Sequence, residues 1–401
     1  MSQVGNAELK SKDARTFAVN FAEVGICPKS GVPIRLCYQT FGEPAAPNGA
    51  VLLIMGLALS QQLWDVKFCM RLASCGYYVI RFDNRDIGKS TILVGRKVLP
   101  SGTTESSDEG DIWEDSNFLS HSPPEGGADG SKSCMYIQLA HAGIAANGHR
   151  KFQEVYSLED MAKDSVGLLD VLKISRAHIV GMCMGGMIAQ IIAIQYPNRV
   201  ESLSLISTHS SSPLLSSPSL RVMIGVATFA IRCVRKGVAI PLSDSMAEKQ
   251  GRKPLTSREK DDLAQVLAQF VTSFASGKES AFPIDHKALL RQTRRIVHWS
   301  EDFSGFARQY VAMIKAPCRV SQLRGLSVPC VVIHGTDDLL VPYRNGKKLA
   351  DVIPGSKLVG IEGLGHILHP LSRERIIGAL VENMGQSTNA LSRSGAVAAK
   401  L

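Results

Sequence analysis

Long apolar runs are missing from this chain. The longer ones, such as Ala50–Leu59 and Val222–Ile231, fall well short of the roughly 20 residues that cross a bilayer, so no transmembrane segment is expected. The N-terminal stretch MSQVGNAELKSKDAR is polar and lacks an apolar h-region, which argues against a signal peptide. Paired cysteines are missing too. The nine cysteines are an odd number, scattered without a CxxC pair or a histidine cluster. That excludes a disulfide framework and structural zinc, and leaves most of them as buried free thiols in a reducing compartment. A phosphate loop is absent as well. Gly88–Thr91 ends like one, but Asp83 stands where its first glycine is required. No metal, cofactor or nucleic-acid partner is expected.

What the chain does have is a core. At 401 residues with 45% hydrophobic content, it is long enough for one large α/β domain with inserted segments. The formal charge of +9 is uneven. Residues 101–132 set eight acids against the single Lys132, whereas residues 209–325 hold 18 Lys or Arg against nine acids. A solvated basic face is the plain reading of the second stretch. Attraction for phosphate- or carboxylate-bearing substrates, or for an anionic membrane surface, is the sharper one.

The order of elements predicts fold class. The segments around 15–25 and 32–42 look like paired strands separated by CPKSGVP. Asn48–Gly56 is a continuous apolar run ending in glycine, as in a buried parallel strand. A helix follows from Trp64, then a strand and exit loop at YYVIRFDNRDIGKS. Residues 92–152, rich in Ser, Gly, Asp and Glu, break the rhythm and are expected to be a flexible surface insertion; a small subdomain around MYIQLAHAG is the rival reading. Ser157 with Asp160 three residues on forms a capping-box-like helix start. Strand and helix then alternate to about residue 208. Residues 209–325 read as a helical cap, residues 326–385 return to the α/β core, and residues 386–401 are expected to be a flexible tail. The prediction is a mostly parallel sheet covered on both faces and capped by helices.

Three loops at the carboxyl ends of predicted parallel strands carry the chemistry, since ligands bind there in open α/β sheets. The first is Gly181-Met182-Cys183-Met184-Gly185. A strand turning directly into a helix strains its central residue, and side chains two positions away would collide, so glycine flanks both sides. The helix N-terminus then favours a thiolate and an oxyanion at this point. A buried structural cysteine in a tight turn is the bland alternative. The second loop runs from His334 to Asp338, where Asp338 fits the spacing of a histidine-orienting carboxylate and Asp337 is the adjacent fallback. The third is Gly363-Leu364-Gly365-His366, which completes the order nucleophile, acid, base; His369 is the weaker candidate. His209, after another strand end, either lines the pocket or belongs to a surface loop.

Together these motifs resemble the α/β-hydrolase superfamily over about residues 15–91 and 153–385. LLIMGLALSQQLWD and VIRFDNRDIGKS are similar to its small-molecule esterase branch, the one that includes aclacinomycin methylesterase. The resemblance implies that the backbone N–H of Leu57 pairs with that of Met184 to bind an oxyanion, a role that apolar side chains permit. The frequent His-Gly of the family is Met55-Gly56 here, so only the backbone role carries over. Cysteine in place of serine resembles, locally, the turns of dienelactone hydrolase and of polyhydroxyalkanoate synthases, which are acyltransferases.

The expected function is hydrolysis of a carboxylic ester or thioester through Cys183, His366 and Asp338 with an acyl-enzyme intermediate. Acyl transfer from the same thioester is the enzymatic alternative, and an inert binding protein on the hydrolase scaffold is the other. The basic cap suits an acyl-CoA or lipid ester. The terminal Ala399-Lys400-Leu401 resembles an S-K-L peroxisomal address, so an import receptor is an expected partner and a peroxisomal location is expected, with the cytoplasm as the alternative.

Overall fold

The computed structural model describes residues 17–93, 155–212, 255–274, 281–300, 303 and 305–398, with Val222, Ile224, Gly225 and Thr228 as isolated positions. The insertion expected at 92–152 lies, from residue 94, outside the described residues, as do parts of the expected cap and the Ala399–Leu401 tripeptide.

Eight strands form one sheet in the order β1-β2-β4-β3-β5-β6-β7-β8. Strands β1 (Asn20–Ile26) and β2 (Pro33–Phe41) make the expected hairpin, and β2 also runs antiparallel to β4 (Tyr78–Phe82). From β4 the sheet is parallel through β3 (Ala50–Ile54), β5 (Ala177–Met182), β6 (Val200–Ile206), β7 (Cys330–Gly335) and β8 (Lys357–Ile361). The fold is α/β with a mostly parallel sheet. Side chains of β3 alternate between its faces. Leu52 and Ile54 join one apolar cluster with residues of α2 (Leu158–Val171) and α3 (Met184–Gln195). Val51 and Leu53 join the other with Phe68 and Leu72 of α1 (Val66–Ser74) and Ile376 and Leu380 of α9 (Arg373–Ala398). Both faces are therefore covered, which is why the strands read as unbroken apolar runs.

Helix starts follow the local chemistry. The Ser157 hydroxyl accepts from Asp160 N–H at 3.2 Å, and the Asp160 carboxylate accepts from Ser157 N–H at 2.8 Å, the reciprocal box expected from the spacing. Asp65 caps α1 through Phe68 N–H at 2.8 Å. Helix α3 is buried from Met184 to Ala193, and Gln190 is the one polar side chain in that stretch. The backbone of α9 continues to Ala398, so the stretch expected as a flexible tail from 386 is helical up to that residue; no proline interrupts it.

Between β6 and β7 lie α4 (Ser257–Phe274), α5 (His286–Trp299), α6 (Gly305–Lys315), the short α7 (Val320–Leu323) and their connections. These helices are tied to the β4 exit loop, Asp83–Asp86, by buried polar contacts. Trp299 Nε1 donates to Asp83 at 2.7 Å, and Arg308 makes two bonds of 2.8 Å to Asp86. On the core side, Arg85 pairs with Asp164 of α2 at 2.6 and 2.7 Å. After β7, α8 (Tyr343–Val352) returns the chain to β8. The exit loops of all the parallel strands meet at one edge of the sheet, where helices α4 to α6 face them.

Candidate functional site

Cys183 sits where β5 turns directly into α3. Its φ is +54° and its ψ −121°, a conformation that costs a non-glycine residue about 1–3 kcal/mol. Its backbone is fixed on both sides: Cys183 N–H donates to Ile206 C=O at 3.0 Å, and its own C=O accepts the Thr208 hydroxyl at 2.7 Å. The flanking glycines have steric reasons. A Cβ on Gly181 would lie 2.2 Å from Gly185 O, and one on Gly185 would lie 2.2 Å from Ile54 O. Gly185→Ala is therefore expected to destabilise the fold by about 1–3 kcal/mol in urea denaturation. Gly378→Ala, on α9 with open space at the site of the added carbon, should be neutral or slightly stabilising. Equal effects of the two changes would refute the steric reading.

Asp338 follows β7 and is buried. One carboxylate oxygen accepts the N–H groups of Leu340 and Val341 at 3.0 and 2.7 Å. The other is 2.7 Å from His366 Nδ1 and 3.4 Å from His334 Nε2. Burial alone would raise the pKa of this group. The facing charges and donors of His366 and His334 outweigh burial and hold the carboxyl well below the usual range. Asp337, the fallback, is exposed and accepts the Thr336 hydroxyl at 3.1 Å instead.

His366 follows β8 and is also buried. Nδ1 is committed to Asp338, and the Cys183 thiol lies near enough to the imidazole to act on its charge. Burial opposes its charging, but the charges of Asp338 and Cys183 prevail and push its pKa up to about 10. The edge of Phe274, at the end of α4, meets the imidazole with centroids 6.0 Å apart. Cys183, Asp338 and His366 are thus brought together by the fold from well-separated positions in the chain. His369 is elsewhere: it caps the turn at Leu371 through Nδ1 at 3.2 Å and meets Pro283 O at 3.1 Å.

The loops that bear the two amides named from the sequence lie against each other. A Cβ on Gly56 would lie 3.0 Å from Cys183 Cβ and 3.7 Å from its sulfur, so the β3 exit loop runs against the thiol. Neither Leu57 N–H nor Met184 N–H is engaged by another group among the described residues. His209 lies within electrostatic range of His366. Its Nδ1 accepts Ser211 N–H at 3.1 Å, which leaves hydrogen on Nε2. Burial, then the charges of Arg319, His334 and His366, push its pKa down to about 4, so it is neutral near pH 7.

His334 was not assigned a role from the sequence. Its Nε2 donates to Val341 O at 2.7 Å while facing Asp338, and its Nδ1 is buried without a partner beside Gly346. The one available signal was its place in β7 four residues before Asp338. Among the described residues no group of three or more His, Cys, Asp or Glu is arranged to hold a metal ion, and no helix is long and apolar enough to cross a membrane.

A sequence model of the family described as alpha/beta hydrolase fold matches residues 49–372. The chain belongs to the alpha/beta hydrolase family. This hydrolase-fold chain is 22% identical over 358 residues to rhodomycin D methylesterase DauP from Streptomyces sp. (strain C5), covering 88% of this chain and 96% of that protein. Its structure is similar to the enol-lactonase from Burkholderia xenovorans LB400, with a TM-score of 0.55, 20% identity, and coverage of 88% and 97% of the two chains. It is also similar to a thermophilic esterase from Thermogutta terrifontis, with a TM-score of 0.56, 19% identity, and coverage of 92% and 99%. At these identities the structural likenesses speak to the fold alone.

Proposed function

We propose that this alpha/beta hydrolase is an esterase that cleaves a carboxylic ester or thioester through a covalent intermediate on Cys183. The observation that carries the reading is the Asp338–His366–Cys183 chain of side-chain contacts at the carboxyl edge of the sheet. The similarity to a methylesterase over most of both chains supports an ester as substrate.

In the first step, the Cys183 sulfur forms a bond to the carbonyl carbon, and the carbonyl π pair moves onto oxygen. The Leu57 and Met184 amides receive that oxyanion. Collapse breaks the bond to the leaving alcohol or thiol, which takes a proton from His366. Acylation removes the negative partner that helps to push His366 up, so its pKa falls and the imidazole, having given its proton to the leaving group, stays neutral and free to accept another. It then takes a proton from water, whose oxygen bonds to the thioester carbon; the carbon–sulfur bond breaks, its pair returns to Cys183 as thiolate beside the protonated His366, and the acid departs. One histidine acts in both directions because its charge partner on sulfur comes and goes.

Purified protein should hydrolyse members of an ester and thioester panel. Iodoacetamide should capture Cys183 selectively at mildly acid pH, ahead of the half-exposed Cys75 and the exposed Cys318, and His366→Ala should abolish that preference. Capture no faster than that of Cys318 would sink the nucleophile assignment. If an added alcohol or amine diverts the acyl group in preference to water, the activity is acyl transfer.

The site also implies a pH signature. His366 is raised from about 6.5 when unfolded to about 10, so its contribution to stability is complete below pH 6.5 and fades as pH rises toward 10. Asp338 is depressed, so its contribution is present above about pH 3.9 and is lost as pH falls further. The melting temperature should therefore decline from about pH 6.5 to 10 more steeply in the native protein than in His366→Gln. Matching slopes in calorimetry would contradict the ionic pairing. The peroxisomal location also stands as a proposal, tested by imaging a fluorescent N-terminal fusion with and without Leu401.

A further inference from the structure

The β3 exit loop presents Leu57 N–H, yet it is short of contacts of its own; within it, Leu59 N–H reaches Gly56 O at 3.4 Å. Two side chains from other parts of the chain hold it. Asn84 Nδ2, from the β4 exit loop, donates to Met55 C=O at 3.0 Å. Gln309, from helix α6 of the cap, accepts Ala58 N–H on Oε1 at 2.8 Å. The same Gln309 donates from Nε2 to Arg85 C=O at 2.7 Å, and the residue is wholly buried.

The consequence is geometric. Asn84 fixes the peptide that joins Met55 to Gly56. Gln309 fixes the peptide that joins Leu57 to Ala58. The peptide between them bears Leu57 N–H, and it is clamped from both sides. Ala58 is held at a φ of +56°, a conformation that alanine seldom adopts without outside restraint. The neutral amide of Gln309 accepts from Ala58 and donates to Arg85 at once. Glutamate would lose the donor, and methionine would lose both groups while keeping the length.

We propose that Gln309 is a positioning residue: from the cap, it aligns the Leu57 amide that receives the oxyanion, so the cap completes the catalytic site as well as covering it. This rests on the reading of Cys183 as an esterase nucleophile. The neighbouring Arg308–Asp86 pair docks α6 on the core independently, so replacing Gln309 separates alignment from docking.

The test uses full-length Gln309→Met and Gln309→Glu with three readouts. The first is kcat and KM on an ester that the native protein turns over. The second is affinity for an aryl trifluoromethyl ketone, whose hemithioketal anion needs the aligned amides. The third is the rate of iodoacetamide capture at Cys183, a displacement that forms no oxyanion. The expected result is a fall of about 10- to 100-fold in kcat and in ketone affinity, with KM and the capture rate within about threefold of native. Unchanged kcat and ketone affinity in both variants overturn the proposal and leave the esterase reading intact. A capture rate that falls in step with kcat also overturns it, because that marks general loosening. A native protein that is captured by iodoacetamide but neither turns over any ester or thioester nor binds the ketone overturns the esterase reading, and this inference with it.

Discussion

Cys183→Ala is expected to lower ester turnover by about 10⁴-fold or more while the protein stays folded. Alanine keeps the Cβ that packs against Gly56 and removes only the sulfur. The amides of Leu57 and Met184 remain, so weak binding and residual catalysis above the rate in water should survive. Asp338→Asn should reduce turnover by a comparable order, because it removes the largest favourable charge on His366 and can turn the imidazole into the wrong tautomer. The informative companion is Cys183→Ser. A hydroxyl resists ionisation far more than a thiol, so His366 would have to remove its proton at the moment of attack. Serine should therefore be the slower enzyme here, assayed by steady-state kinetics with the variants folded by circular dichroism. A serine variant as fast as the native protein, or an alanine variant within tenfold of it, would place the chemistry elsewhere.

Arg308→Ala should be the most destabilising single change outside the site, at about 3–5 kcal/mol in urea denaturation. Asp86 is fully buried and Arg308 nearly so, and the two form a bidentate pair. Removing the cation leaves a carboxylate inside that still accepts Leu93 N–H at 2.6 Å but has lost its counter-charge. The cost is mostly that of an unpaired buried charge, so the intact pair itself contributes much less than this figure. The contrast is Lys347→Ala. Lys347 and Asp351 are 3.5 Å apart but more than 60% exposed, and breaking an exposed pair changes stability by under about 1 kcal/mol. Losses of similar size in the two variants would mean that the Asp86 carboxylate reaches water.

What was legible in the sequence is what short-range sterics and periodicity encode. The apolar runs of β3 and β5 announce strands buried on both faces. Ser157 and Asp160 announce the start of α2, because a capping box acts within four residues. Gly181 announces the strained turn, because the collision it avoids is with Gly185 and Gly186 of that same turn. The chain order of Cys183, Asp338 and His366 suggested a common site, but order carries no distances.

The tertiary structure decided the rest. It paired His366 with the buried Asp338 while leaving Asp337 exposed, and it turned His369 to a helix cap. It set His334 beside the carboxylate, a contact for which the four-residue spacing to Asp338 was the one hint. It also brought Gln309 to Ala58, 251 positions away in the chain. Contacts of that separation leave no periodic trace in the sequence. They depend on where the cap comes to rest, and buried polar pairing between cap and core fixes that position.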